Sequence, residues 1–152
     1  MSTRGALGFY KDGKEKIGYN HWDSYPSGLG QTVLNFLKGK TIDELKKFCD
    51  EIKLTGKNNA LNDEEEFNSE FEDSKDFLAD SLFCEYAYII NLDTGMLEFY
   101  RGFNQNPNGK GRYAKLVSGD YNGVVLIQEV PLEYAFKGKV GLFEEYCFVF
   151  ER

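Results

Sequence analysis

Apolar positions open the chain in two short runs, residues 3–10 (TRGALGFY) and 15–22 (EKIGYNHW), separated by K-D-G-K. Asp12-Gly13 supplies the positive φ of a tight turn, so the pair of runs predicts a β-hairpin, with Gly5, Gly8 and Gly18 marking close backbone approach or bulges. Residues 24–30 (SYPSGLG) are turn chemistry throughout, and they lead into a helical pattern in which Val33, Leu34 and Leu37 share a face until Gly39. Thr41 and Glu44 have the spacing of a capping box. Behind them Ile42, Leu45, Phe48 and Ile52 form an apolar stripe opposite Asp43, Lys46, Lys47, Asp50 and Lys53, predicting a second helix that Gly56 ends.

Residues 56–73 carry no sustained period and are expected to form an acidic surface loop, followed by a short helix over 74–83. From Glu85 the period becomes two. Tyr86, Tyr88 and Ile90 oppose Ala87 and Ile89, Asp93-Thr94-Gly95 makes a three-residue turn, and Met96–Tyr100 returns. Residues 102–112 are a Gly/Asn loop; 113–117, 124–130 and 146–150 are further strand candidates, and 131–145 has no assignable pattern. Two helices set between a hairpin and a run of strands predict a single α+β domain over residues 1–152, a mainly antiparallel sheet with two or three helices packed on one face.

Composition agrees with a packed core. Hydrophobic residues are 41% and charged residues 28%, with 13 Phe, 10 Tyr and one Trp in 152 residues. Apolar stretches such as Val124–Ile127 fall far short of the ~20 residues a membrane-crossing helix needs, and the start of the chain lacks a signal peptide's apolar core, so a soluble, cytoplasmic protein is expected. Cys49, Cys84 and Cys147 are widely spaced among apolar residues and read as buried free thiols; with His21 the only histidine, no zinc ligand set assembles and no metal or cofactor is expected.

Net charge is −7, and one segment accounts for it: Asp63, Glu64, Glu65, Glu66, Glu70, Glu72 and Asp73 follow one another with no intervening cation. The rest of the chain is balanced, so no basic stripe exists to neutralise phosphates and direct nucleic-acid binding is not expected. The run is either a solvated loop or a surface for a basic partner, including one that imitates a phosphate backbone.

Chemistry-bearing residues concentrate in Tyr19-Asn20-His21-Trp22-Asp23-Ser24-Tyr25-Pro26-Ser27-Gly28-Leu29-Gly30. If a helix begins near Gly28, the amides of Gly28, Leu29, Gly30 and Gln31 are open to an anion, with Arg4 on the neighbouring strand and His21 as further donors. Arg4, Tyr19, His21, Trp22, Asp23, Tyr25 and Gly28 are therefore the candidate ligand site. The alternative is purely structural, with Asp23, Ser24 or Ser27 capping the same amides. The opening Thr3-Arg4-Gly5 followed by His21-Trp22-Asp23-Ser24-Tyr25 and a glycine before a helix resembles a group of short, functionally uncharacterised phage and bacterial proteins with T-R-[GS] and H-W-D-G-Y segments. The likeness covers roughly residues 1–35, with an echo in Glu85-Tyr86-Ala87-Tyr88; Ser24 stands where the group commonly has glycine. The resemblance implies a phage or prophage setting, and with it the cytoplasm of a bacterial host cell.

The reading that follows is a non-enzymatic binding protein with no catalytic residues, acting on a host protein with a basic surface and inhibiting a host defence system. The alternatives are a protein that binds or sequesters a small anionic ligand such as a nucleotide, and an N-terminal-nucleophile hydrolase using Ser2. Asn108-Gly109-Lys110-Gly111-Arg112 lacks the spacing of a phosphate loop and reads as a hairpin turn.

Overall fold

The computed structural model describes residues 3–55, 70–143 and 146–149. In chain order the elements are β1 (Gly5–Lys11), β2 (Lys14–Asn20), α1 (Gln31–Leu37), α2 (Ile42–Glu51), β3 (Lys53–Thr55), β4 (Glu70–Glu72), β5 (Tyr86–Asn91), β6 (Met96–Arg101), β7 (Val117–Ser118), β8 (Tyr121–Asn122), β9 (Val125–Pro131), α3 (Leu132–Phe136), β10 (Val140–Phe143) and β11 (Tyr146–Val149). A wide turn, Pro26–Gly30, leads directly into α1, and a 3₁₀ turn, Lys75–Ala79, precedes β5. The α+β class is as expected. Five strands form the main sheet in the order β2-β1-β5-β6-β9, antiparallel at every join except β1 with β5, which run parallel.

The sheet buries both faces. On one, Leu7, Phe9, Tyr88, Ile90, Leu97 and Phe99 meet α1, α2 and α3 through Val33, Leu37, Leu45, Cys49, Leu132 and Ala135. On the other, Ala6, Ile17, Ala87, Ile89 and Tyr100 lie beneath Leu78 of the 3₁₀ turn and Tyr113 and Val124 of the long β6–β9 connection. All six residues of β5 are buried for this reason. Alternation along β5 therefore sorts side chains between two cores, whereas sequence alone suggested one covered face.

Local signals held where the chemistry is local. Asp12 and Gly13 both have positive φ, at 54° and 74°, and the register pairs Lys11 with Lys14 around a two-residue turn. Thr41 Oγ1 accepts from the Glu44 amide at 3.2 Å, Val33, Leu34 and Leu37 are buried together, and Gly39 takes a φ of 81° after α1. Other boundaries move. Helix α2 ends at Glu51 rather than at Gly56, because Lys53–Thr55 leaves it to pair in parallel with Glu70–Glu72, so three residues of the expected acidic loop are strand. Asp63, Glu64, Glu65 and Glu66 lie outside the described residues. Residues 113–116 are not a strand; only Val117–Ser118 pairs, in a two-residue ribbon with Tyr121–Asn122. The β5–β6 loop has four residues, Leu92–Gly95, since Asn91 pairs with Met96. The unassigned stretch 131–145 supplies α3 and β10. Among the described residues no helix is long and apolar enough to cross a membrane.

Asp93, in that four-residue loop, ties two hairpins together. Its carboxylate accepts from the amides of Asp12 (2.8 Å) and Gly13 (3.0 Å), while the Asn91 side chain accepts from the amides of Asp93 and Thr94. Asp93→Ala leaves both turn amides to water and is expected to lower stability by about 1 kcal/mol in urea unfolding; an unchanged midpoint would show the tie to be unimportant.

Candidate functional site

The sequence-derived site divides where β2 ends at Asn20, with Asp23, Tyr25 and Gly28 in the segment that leaves the sheet for α1. Tyr19 and His21 are two apart and share the second face, where a 2.7 Å hydrogen bond joins the Tyr19 hydroxyl to Nδ1 of His21 and the Tyr19 ring packs edge-on to Phe77. Arg4 continues β1 one residue before Gly5, opposite His21 by extension of the Gly5–Asn20 pairing, and its guanidinium lies 5.4 Å from the centre of the Phe83 ring. Trp22 stands edge-on to His21 with ring centres 4.6 Å apart. Arg4 and His21 are thus brought to the same end of the sheet.

The start of the helix is a different place with different chemistry. Gly28 N–H donates to the Tyr25 carbonyl at 2.9 Å, Leu29 to Asp23 at 2.8 Å and Gly30 to Tyr25 at 3.4 Å, and the Gln31 amide donates to Gly28. The amides that an anion would need are engaged by the chain's own carbonyls, in the wide turn that sequence reading did not foresee. Nor does a side chain cap the turn or α1. Asp23 reaches Leu29 through its backbone, made possible by a φ of 50°. A Cβ at Gly28 would collide with that Asp23 carbonyl oxygen, which makes Gly28 a residue of close packing.

Ser24 joins the two halves of the T-R-G and H-W-D-S pattern. It is fully buried, its amide donates to the Thr3 carbonyl at 3.1 Å, its carbonyl accepts from the Tyr88 hydroxyl at 2.8 Å, and its Oγ accepts from the Asn20 side chain at 2.8 Å. That same Asn20 amide donates to the Trp22 carbonyl. A Cβ at Gly5 would stand 2.6 Å from the Ser24 Cβ and from the Tyr86 carbonyl oxygen, so glycine there and serine here fit as a pair. Glu70 and Glu72 belong to β4, and Asp73 is exposed just beyond it.

The densest polar cluster among the described residues is one the sequence reading missed. Glu98, on β6 and only 2% exposed, accepts four hydrogen bonds: from Arg112 at 2.9 and 2.7 Å in a bidentate pair, from the Tyr100 hydroxyl at 2.8 Å and from the Asn91 amide at 3.1 Å. The Arg112 guanidinium also donates to the Tyr113 hydroxyl at 3.2 Å, which itself donates to Glu15 at 3.1 Å. It packs over the ring of Tyr10 at 4.0 Å. Gly111, with a φ of 98° and no room for a Cβ beside Leu126 and the Tyr100 ring, delivers Arg112 to this position, so the Gly-Lys-Gly-Arg string is a tether for the β6–β9 connection. Burial opposes the charge of Arg112, and its hydrogen bonds to Glu98 and Tyr113 more than offset that, holding the guanidinium above its ordinary range. Burial, aided by the Glu98 charge, pushes the Tyr100 phenol well up; burial does the same to Tyr113 against the pull of Arg112. Burial likewise raises the thiols of Cys49 and Cys84, so both stay protonated at neutral pH. A carboxylate at position 98, between the apolar Leu97 and Phe99 in β6, is the sequence signal that pointed here.

The chain matches no protein-family model, no curated protein and no solved structure.

Two outcomes follow from this geometry. Gly28→Ala should cost about 1–3 kcal/mol through overpacking against Asp23, whereas Ser27→Ala, at an exposed position, should be near neutral in the same thermal melt. Because folding holds Tyr100 and Tyr113 above the ordinary value of 10, the stability they contribute is complete below pH 10 and is lost as pH rises through their folded-state values. Unfolding free energy should therefore fall from pH 10 upward, and less steeply in Tyr100→Phe; an equal slope in that variant would contradict the assignment.

Proposed function

We propose that the protein acts by binding rather than by catalysis, as a phage-type protein that occupies a host protein and thereby inhibits a host defence system. The observation that carries this reading is the end of the sheet where β1 and β5 begin and β2 and β6 finish. Trp22, Phe83 and Phe103 stand there 48%, 48% and 49% exposed, in the company of Arg4 over Phe83 and Arg101 near Phe103, at 5.9 Å. Large aromatics left in water cost free energy that folding does not recover, and aromatic rings with arginine are the side chains that dominate protein–protein binding energy. The net charge of −7 favours a partner with a basic surface and speeds the encounter. The acidic residues Asp63–Glu66 are a further contact for such a partner.

Catalysis has less support. The buried carboxylate of Glu98 has both oxygens doubly engaged, and the buried thiols are held protonated. A small anionic ligand at the helix start would have to displace the carbonyls of Tyr25 and Asp23.

The test is affinity capture from bacterial lysate with the full chain and with Trp22→Ala/Phe83→Ala. A host protein retained by the parent and lost by the double variant, with circular dichroism and melting temperature nearly unchanged, is the expected result. Equal retention by both would remove the aromatic end from the account, and a parallel capture with Glu64, Glu65 and Glu66 changed to Lys reports the acidic contribution.

A further inference from the structure

A cavity of about 250 Å³ opens on the second face between the start of β2, the 3₁₀ turn and the β6–β9 connection, lined by Glu15, Lys75, Asp76, Arg112, Tyr113 and Leu116. It lies at the other end of β2 from His21, six residues away or about 20 Å along the strand, so it is separate from the aromatic end. We propose that this cavity binds a small zwitterion, a free α-amino acid, holding its ammonium between Glu15 and Asp76 and its carboxylate at Lys75.

The charges on the wall divide into used and unused. Arg112 is committed to Glu98 and Tyr113 and forms a fixed, neutralised floor. Glu15 spends one oxygen on the Tyr113 hydroxyl, which leaves the other for a ligand. Among the described residues Lys75 and Asp76 make no side-chain hydrogen bond or ion pair. Two carboxylates and one ammonium around a small space match a molecule that carries both signs; a plain anion would meet Glu15 and Asp76, and a plain cation would meet Lys75. The volume sits below the ~300–1,000 Å³ of drug-sized sites, which restricts the occupant to metabolite size. Leu116 and the Tyr113 ring offer an apolar wall for the body of the ligand, while the buried Glu98–Arg112 pair keeps the floor rigid without ligand present.

The full chain titrated with each of the twenty L-amino acids, followed by amide NMR, tests this. At least one should give saturable shifts that include Tyr113 and Leu116, with Kd below about 10 mM, and its des-amino and des-carboxy analogues should each bind at least about tenfold more weakly. Glu15→Gln and Lys75→Gln should each weaken that binding about tenfold while leaving the melting temperature in place, since the carboxamide oxygen introduced by Glu15→Gln still accepts from the Tyr113 hydroxyl and Lys75 is exposed. Overturning results are absence of saturable binding by all twenty, equal binding of the single-charge analogues, or unchanged affinity in both variants. Loss of partner capture by the aromatic-end variant is read separately and does not bear on this cavity.

Discussion

A buried carboxylate on an inner strand of a sheet covered on both faces is the constraint around which this molecule is arranged. Moving Glu98 out of water costs several kcal/mol unless its lone pairs are met, and the chain meets them with a bidentate arginine, a phenol and an amide drawn from three different segments. Arg112 is the only one of those donors that does not come from the sheet itself. Its long connection must therefore lie across the second face, which closes the core formed by Ala6, Ile17, Ile89 and Val124. The cavity beside Glu15 and Lys75 is a by-product of that closure.

How much of this was readable in sequence depends on how far apart the interacting residues are. The Asp12-Gly13 turn and the Thr41 cap were legible because each feature is decided by residues within four positions of one another. The double burial of β5 was not, since its second cover comes from residues 75–79 and 102–124, whose patterns are irregular. The wide turn before α1 was missed for a related reason: Pro26, Gly28 and Gly30 announce a turn, but only the approach of Gly28 to the Asp23 carbonyl decides its width.

The candidate ligand site shows the same limit. Residues 19 to 28 look like one cluster when written as a string, yet the strand ends at Asn20 and the chain then turns away from the sheet toward α1. Tyr19 and His21 fall with Arg4, while Ser24 is drawn to Tyr88 beneath the helices. Arg112 and Glu98 are fourteen residues apart with a glycine-rich loop between them, and no local rule joins them. What the sequence did contain was a carboxylate between Leu97 and Phe99, a costly placement that asks for a partner. The two functional surfaces proposed for the chain, the aromatic end and the zwitterion cavity, both depend on this closed second face: one at its rim, the other within it.

A double-mutant cycle on the buried pair tests the account most directly. Glu98→Leu, Arg112→Met and the combination should be compared by urea unfolding. Arg112→Met strands the buried Glu98 charge and should cost about 3 kcal/mol or more, Glu98→Leu leaves a guanidinium that is 30% exposed and should cost less, and the double variant should lose clearly less than the sum, giving a coupling of about 2 kcal/mol. Losses that simply add would mean that the carboxylate does not hold the second face closed.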